Sequence, residues 1–145
     1  MLYLFTALVG LANAVQVGAN SSLGKALDNK FAAALCIVAV SASAILVAGL
    51  VSGRLGMPGM DKVSGVPWWA WTGGTLGACF VLGQLFVAEQ VGSAVFMTVT
   101  VTAAVTMSLV MDHYGLLGFK EHAAGWGRIA GAGLMFAGLA LIAKF

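Results

Sequence analysis

Charge is scarce in this chain. Seven Lys or Arg and five Asp or Glu make up 8% of 145 residues, against 61% hydrophobic, with a mean hydropathy of +1.00. A domain in water needs roughly 25% charged residues on its surface, so a soluble globular domain is excluded. The apolar excess runs from end to end, which also excludes a soluble body on one anchor. A net charge of +2, thinly spread, offers no basic patch to nucleic acid. Proline is confined to Pro58 and Pro67. Cys36 and Cys79 lie inside apolar segments with no disulfide or metal-ligand spacing and read as small core residues. There is no phosphate-cradling glycine loop, no nucleophile elbow and no Ser/His/Asp set placed to cooperate, so neither enzyme chemistry nor a cofactor is expected.

The charges that are present divide the chain into blocks free of them, at 1 to 24, 31 to 53, 63 to 88, 90 to 111 and 129 to 143. Roughly 20 apolar residues cross the hydrocarbon layer as a helix. Four blocks qualify outright, and the fifth does if Trp126 and Arg128 start their helix at the interface, where an arginine can reach water. The expectation is an all-α integral membrane bundle, a single domain of five transmembrane helices over 1–145. The helices are placed at about Leu2 to Ser22, Phe31 to Ser52, Pro67 to Val87, Gly92 to Met111 and Trp126 to Lys144. A secretory signal is the rival reading of the first segment, but it lacks a cationic start and contains Asn13, Gln16 and Asn20.

Between the helices, Gly24 to Lys30 reads as a polar turn, and Gly53 to Val66, with Pro58, Gly59, Asp61 and Lys62, as the longest loop. Ala88 to Val91 is short enough to demand a hairpin. Trp68, Trp69 and Trp71 follow Pro67 at a helix start, where indoles anchor at the headgroup layer. A ligand-stacking wall made of Trp68 and Trp71 is the sharper alternative. Small residues four apart, in Gly10, Ala14 and Gly18, Gly73 and Gly77, and Gly127 and Gly131, suit close helix packing in lipid and say nothing about what the bundle does.

Five crossings put the termini on opposite sides. One side then carries Arg54, Lys62, Lys120 and Arg128, and the other Lys25, Lys30 and Lys144. Orientation follows the excess of Lys and Arg in cytoplasmic loops, and four against three is almost no excess. Insertion both ways round, and pairing of two copies as an antiparallel homodimer, is the preferred reading. It reproduces between chains the inverted-repeat symmetry that many transporters build within one. A parallel or heteromeric partner is the alternative.

Polar side chains at membrane depth mark a lumen or a helix interface. Asn13, Gln16 and Asn20 fall within about 60° of one another on the first helix, an amide stripe able to hold a polar solute or another helix. Thr98, Thr102 and Thr106 form a second stripe, weighted toward packing because threonine often bonds its own backbone. Gln84 is a lone amide open to either use. Glu89, in the short hairpin, is an ordinary loop carboxylate or, if drawn into a cavity, a proton-coupling group. Asp112, His113, Glu121 and His122 share a loop but fit no standard metal cage, and no metal site is expected.

Four segments in order resemble one family. They are Gln16-Val-Gly-Ala-Asn20-Ser-Ser-Leu23-Gly24, Pro67 to Ala78 with its tryptophans and glycines, Asp112-His113-Tyr114-Gly115 through Gly118-Phe119, and Arg128 with Gly131 and Gly138. Together they look like the YdcZ-type family of the drug/metabolite transporter superfamily. The resemblance implies a multi-pass bacterial inner-membrane protein that exports small molecules and equals half of a ten-helix, inverted-repeat transporter. More distant relatives of small-multidrug-resistance type keep a glutamate in helix one, and this chain has Gln16 and Asn20 there instead. The expected function is a secondary transporter working by alternating access as a homodimer. Its polar cavity would be lined by Asn13, Gln16, Asn20, Gln84, Thr98 and Thr102, with Trp68 and Trp71 near one mouth. The alternative is a non-transporting membrane subunit docked on another protein.

Overall fold

The computed structural model describes residues 1–145, and its regular elements are all helical. Five helices are long and apolar enough to cross a membrane: Leu2–Leu27, Lys30–Val51, Trp68–Val91, Ser93–Tyr114 and Trp126–Lys144. They are called the first to fifth spans. Hydrocarbon supplies no hydrogen-bond partner, so a crossing segment must satisfy its backbone internally, which a helix does.

The connections between spans depart from the sequence expectation in an instructive way. The first span continues past Ser22 to Leu27 and stops at Asp28, whose left-handed φ of 47° lets its N–H reach the Lys25 carbonyl. Gly24 stays helical because it is pressed against another span. A Cβ placed there would come within 2.9 Å of Leu85 Cδ2. Asn29 then caps the second span, its side-chain oxygen accepting from the Ala32 N–H at 3.0 Å. The polar turn therefore shrinks to Asp28 and Asn29.

The third span is a composite. A 3₁₀ turn at Trp68–Trp71 leads into an α-helix, Thr72–Gly83, then a π-helical turn, Gln84–Ala88, and a last short α segment, Glu89–Val91. The expected hairpin loop at Ala88 to Val91 is thus still helical. The break falls on Gly92 alone, at φ 87°, a conformation open to glycine and costly for other residues. The fourth span ends at Gly115, also left-handed, whose N–H bonds the Met111 carbonyl. A short helix, Met60–Ser64, interrupts the long loop before the third span.

The chain forms two compact units, Met1–Glu89 and Gln90–Phe145. In the first, the π turn packs on both the first and second spans, and Ala33, Ile37 and Leu85 make a small core flanked by Leu23, Ala34 and Val81. In the second, the fourth and fifth spans pack along each other. Large apolar side chains such as Leu4, Ile45 and Leu134 point outward, the reverse of a water-soluble bundle and the arrangement lipid requires.

Alanine at a mid-helix glycine gains up to about 1 kcal/mol of helix propensity, while overpacking costs typically about 1–3 kcal/mol. Gly133 has nothing within 4 Å of the added carbon, so Gly133→Ala is expected to melt at or above the parent in detergent. Gly24→Ala should melt several degrees below it. Equal melting of the two variants would mean that the first and third spans do not meet at Gly24.

Candidate functional site

The first unit buries two amides and joins them. The Asn20 Nδ2 group donates to Gln84 Oε1 at 2.7 Å, with Asn20 at 7% and Gln84 at 1% exposure. Val17, Gly24, Leu85 and Ala88 are the buried residues beside them in their own helices. A polar group carried into an apolar interior without a partner costs several kcal/mol. The bond removes that cost for the Asn20 N–H and the Gln84 carbonyl.

The rest of the amide stripe is divided by this packing. Asn13 is half-buried and Gln16 is exposed, although each lies within two turns of Asn20. The face carrying Val17, Asn20 and Gly24 turns toward the third span, and Gln16 sits just outside it. Trp68 and Trp71 are exposed, at 79% and 62%, and the Thr72 hydroxyl donates to the Trp69 carbonyl at 2.6 Å, closing the 3₁₀ turn that presents the indoles.

Glu89 follows directly on the π turn and lies between two lysines, with Oε1 3.8 Å from Lys25 Nζ and Oε2 3.7 Å from Lys30 Nζ. Lys30 also sits 5.0 Å above the centre of the Phe86 ring, and Phe31 meets that ring edge-on at 5.8 Å. The candidate proton-coupling carboxylate is therefore part of a three-charge cluster braced by two aromatic rings.

In the second unit, the threonine stripe splits. Thr98 donates to the Ala94 carbonyl at 2.7 Å, Thr100 to Phe96 at 2.9 Å and Thr106 to Thr102 at 2.8 Å. These are the self-bonded hydroxyls expected of helical threonine. Thr102 differs: it is 2% exposed and its hydroxyl has no partner. It lines an open groove of about 360 Å³ with Met97, Thr98, Val101, Met135 and Gly138. The loop after the fourth span is tied back to that span's end. The His122 N–H bonds the Asp112 carbonyl at 2.7 Å, the Ala124 N–H bonds His113 Nδ1 at 3.2 Å, and Arg128 Nη1 lies 3.4 Å from Asp112 Oδ2.

Five apolar spans with a few amides and hydroxyls among them are the features of a polytopic membrane protein. The family described as "Putative inner membrane exporter, YdcZ" matches residues 1–141. The chain belongs to this YdcZ family. It is a multi-pass protein of the inner membrane, and its family is one of transporters and not of enzymes. No curated protein and no solved structure is significantly similar to it.

Two features of this YdcZ chain lie outside sequence reasoning. The π turn has no composition signal, and the pairing of Gln84 with Asn20 joins residues 64 apart in sequence. The lysine partners of Glu89 had a faint signal: it is the only acid between Asp61 and Asp112, and Lys25 and Lys30 flank a short turn.

Polar pairs between membrane helices contribute about 0.6–2 kcal/mol. A double-mutant cycle of Asn20→Leu and Gln84→Leu, followed by unfolding in detergent, should give a coupling energy in that range, with the double variant more stable than the single variants predict additively. Strict additivity would mean the two amides do not meet.

Proposed function

We propose that this chain is a secondary transporter of small polar molecules that works by alternating access as a homodimer, its two copies antiparallel. The observation that carries the reading is the buried Asn20–Gln84 bond: two amides joined at membrane depth in a chain of an exporter family. Such a pair offers both donors and acceptors. A solute bearing the same groups can replace the internal bond with bonds of similar strength, so binding and release stay near balance.

Two further facts support a second copy. Gln16 is exposed near the middle of the first span, where an amide facing hydrocarbon is unfavourable. A partner protomer covers it, or it borders the watered path that two protomers enclose. The near-equal division of Lys and Arg between the two sides permits insertion in both directions, and two opposed copies supply the inverted repeat on which alternating access is built. Because the two facings of such a dimer are equal by symmetry, a ligand that binds both alike is not trapped in either. Asn13 extends the polar surface of the first span. Trp68 and Trp71 stand at the headgroup layer, where a solute enters or leaves. Thr98 and Thr102 put hydroxyl-bearing residues on the groove of the second unit.

Liposomes containing only the purified protein should take up members of a panel of small polar solutes. Gln16→Ala and Asn20→Ala should each reduce that flux about tenfold or more, the scale of one lost hydrogen bond to a substrate in a desolvated site. Flux unchanged in both variants would remove the first span from the site. A pure protein that moves nothing across the panel would favour a subunit that docks on another membrane protein. Reporters on both termini in cells should each be found on both sides of the membrane; a single orientation would exclude the antiparallel dimer.

A further inference from the structure

The third span changes helical type between its two polar contacts, and that change determines which way each one faces. Gln84 opens the π turn and Glu89 immediately follows it. In a continuous α-helix, residues five apart point about 140° away from each other. An i→i+5 turn stacks them on nearly one face. With the π turn in place, Gln84 reaches Asn20 and Glu89 reaches Lys25 and Lys30.

We propose that Gln84–Ala88 is a hinge and that Glu89, with Lys25 and Lys30, is the latch it carries. The latch closes the ends of the first three spans at one face of the membrane and opens once in each transport cycle. The proposal rests on the transporter reading given above, and it assigns Glu89 to positioning, through the lysines, and not to carrying a proton.

Three observations support it. First, the latch is weak by construction. Its ion pairs are 3.7 and 3.8 Å long, with Glu89 at 37%, Lys25 at 60% and Lys30 at 31% side-chain exposure, and long, partly exposed pairs of this kind hold loosely. A gate that must open repeatedly needs that looseness, since a tight lock would leave one state overwhelmingly populated.

Second, the hinge is seated where a shift in register is felt. Leu85, within the turn, is 2% exposed and fills the space left by Gly24. Phe86 meets Phe31 and Lys30 on the neighbouring span. Relaxing the π turn to α geometry shifts the register at Glu89 by about one residue, roughly 100° around the helix axis, which carries Glu89 off both lysines while the helix before Gln84 keeps its place.

Third, the two ends of the hinge are chemically linked. A solute that takes the Asn20 amide from Gln84 removes a side-chain bond at the start of the π turn. Occupation of the polar pair at depth is thereby passed to the ion cluster at the surface, five residues along the chain.

The test reads the latch without requiring transport. In a background with Cys36→Ala and Cys79→Ala, a cysteine is introduced by Ala88→Cys, a site 4% exposed inside the hinge. Its reaction with a membrane-impermeant maleimide is timed in the purified protein. Glu89→Gln should speed labelling about tenfold, one decade in open population. The pair Lys25→Gln with Lys30→Gln should do the same. The reversal Glu89→Lys with Lys25→Glu and Lys30→Glu should return labelling to the slow rate, which also shows that the altered cluster still folds. Equal labelling in Glu89→Gln and its parent overturns the latch. So does loss of flux in Glu89→Gln with labelling unchanged and no rescue by reversal, the signature of a proton carrier. If the labelling pattern holds while no variant moves solute, the latch stands and the transporter reading falls separately.

Discussion

Hydrocarbon contains nothing that can accept or donate a hydrogen bond, and every feature of this protein answers to that condition. The backbone satisfies itself in helices of 19 to 26 residues. Side chains that would be buried in water, such as Leu4 and Ile45, face outward, and most of the polar ones within the spans are turned inward, bonded to their own helix, or joined to each other, with Gln16 an exposed exception. The Asn20–Gln84 bond is where the condition presses hardest, because both side chains are buried. Its existence requires the first and third spans to lie close, and Gly24 makes that approach possible by leaving room for Leu85.

A protein that must both hold and release a solute cannot be packed uniformly. The first unit combines a small core at Ala33, Ile37 and Leu85 with a helix that switches type beside it. π turns are rare, recur at functional sites and kink the helix that holds them. Here the turn stands between a neutral amide pair in the bilayer and charges at its edge. In the proposed hinge, a local exchange of hydrogen bonds at one end becomes a rotation at the other.

The second unit is built on different terms. Its threonines mostly bond their own carbonyls, so they add polarity to the fourth span without joining it to anything. Thr102 alone stays buried and unpartnered beside an open groove. The loop beyond it is fastened at Asp112 and His113 by backbone N–H groups. His113, at the end of the fourth span, therefore anchors the loop through its Nδ1.

Much of this was legible in the residues themselves. Hydropathy and the spacing of twelve charges located five spans, because crossing the bilayer is a requirement on length and composition, and both are properties of sequence. The resemblance carried by Gln16 to Gly24, the tryptophan run and the Asp112 segment pointed to the YdcZ family, whose model spans the chain. Only the tertiary structure decided where the helices end and which polar groups meet. Gly24 and Lys25 read as a turn and are helical because Leu85 packs there. Asn13, Gln16 and Asn20 read as one stripe and are divided, since a neighbouring helix covers a narrow arc and only Asn20 falls within it. Gln84 read as solitary, and Glu89 as a loop acid, because contacts between distant segments, and a single residue absorbed into a π turn, leave no periodic trace in the chain that makes them.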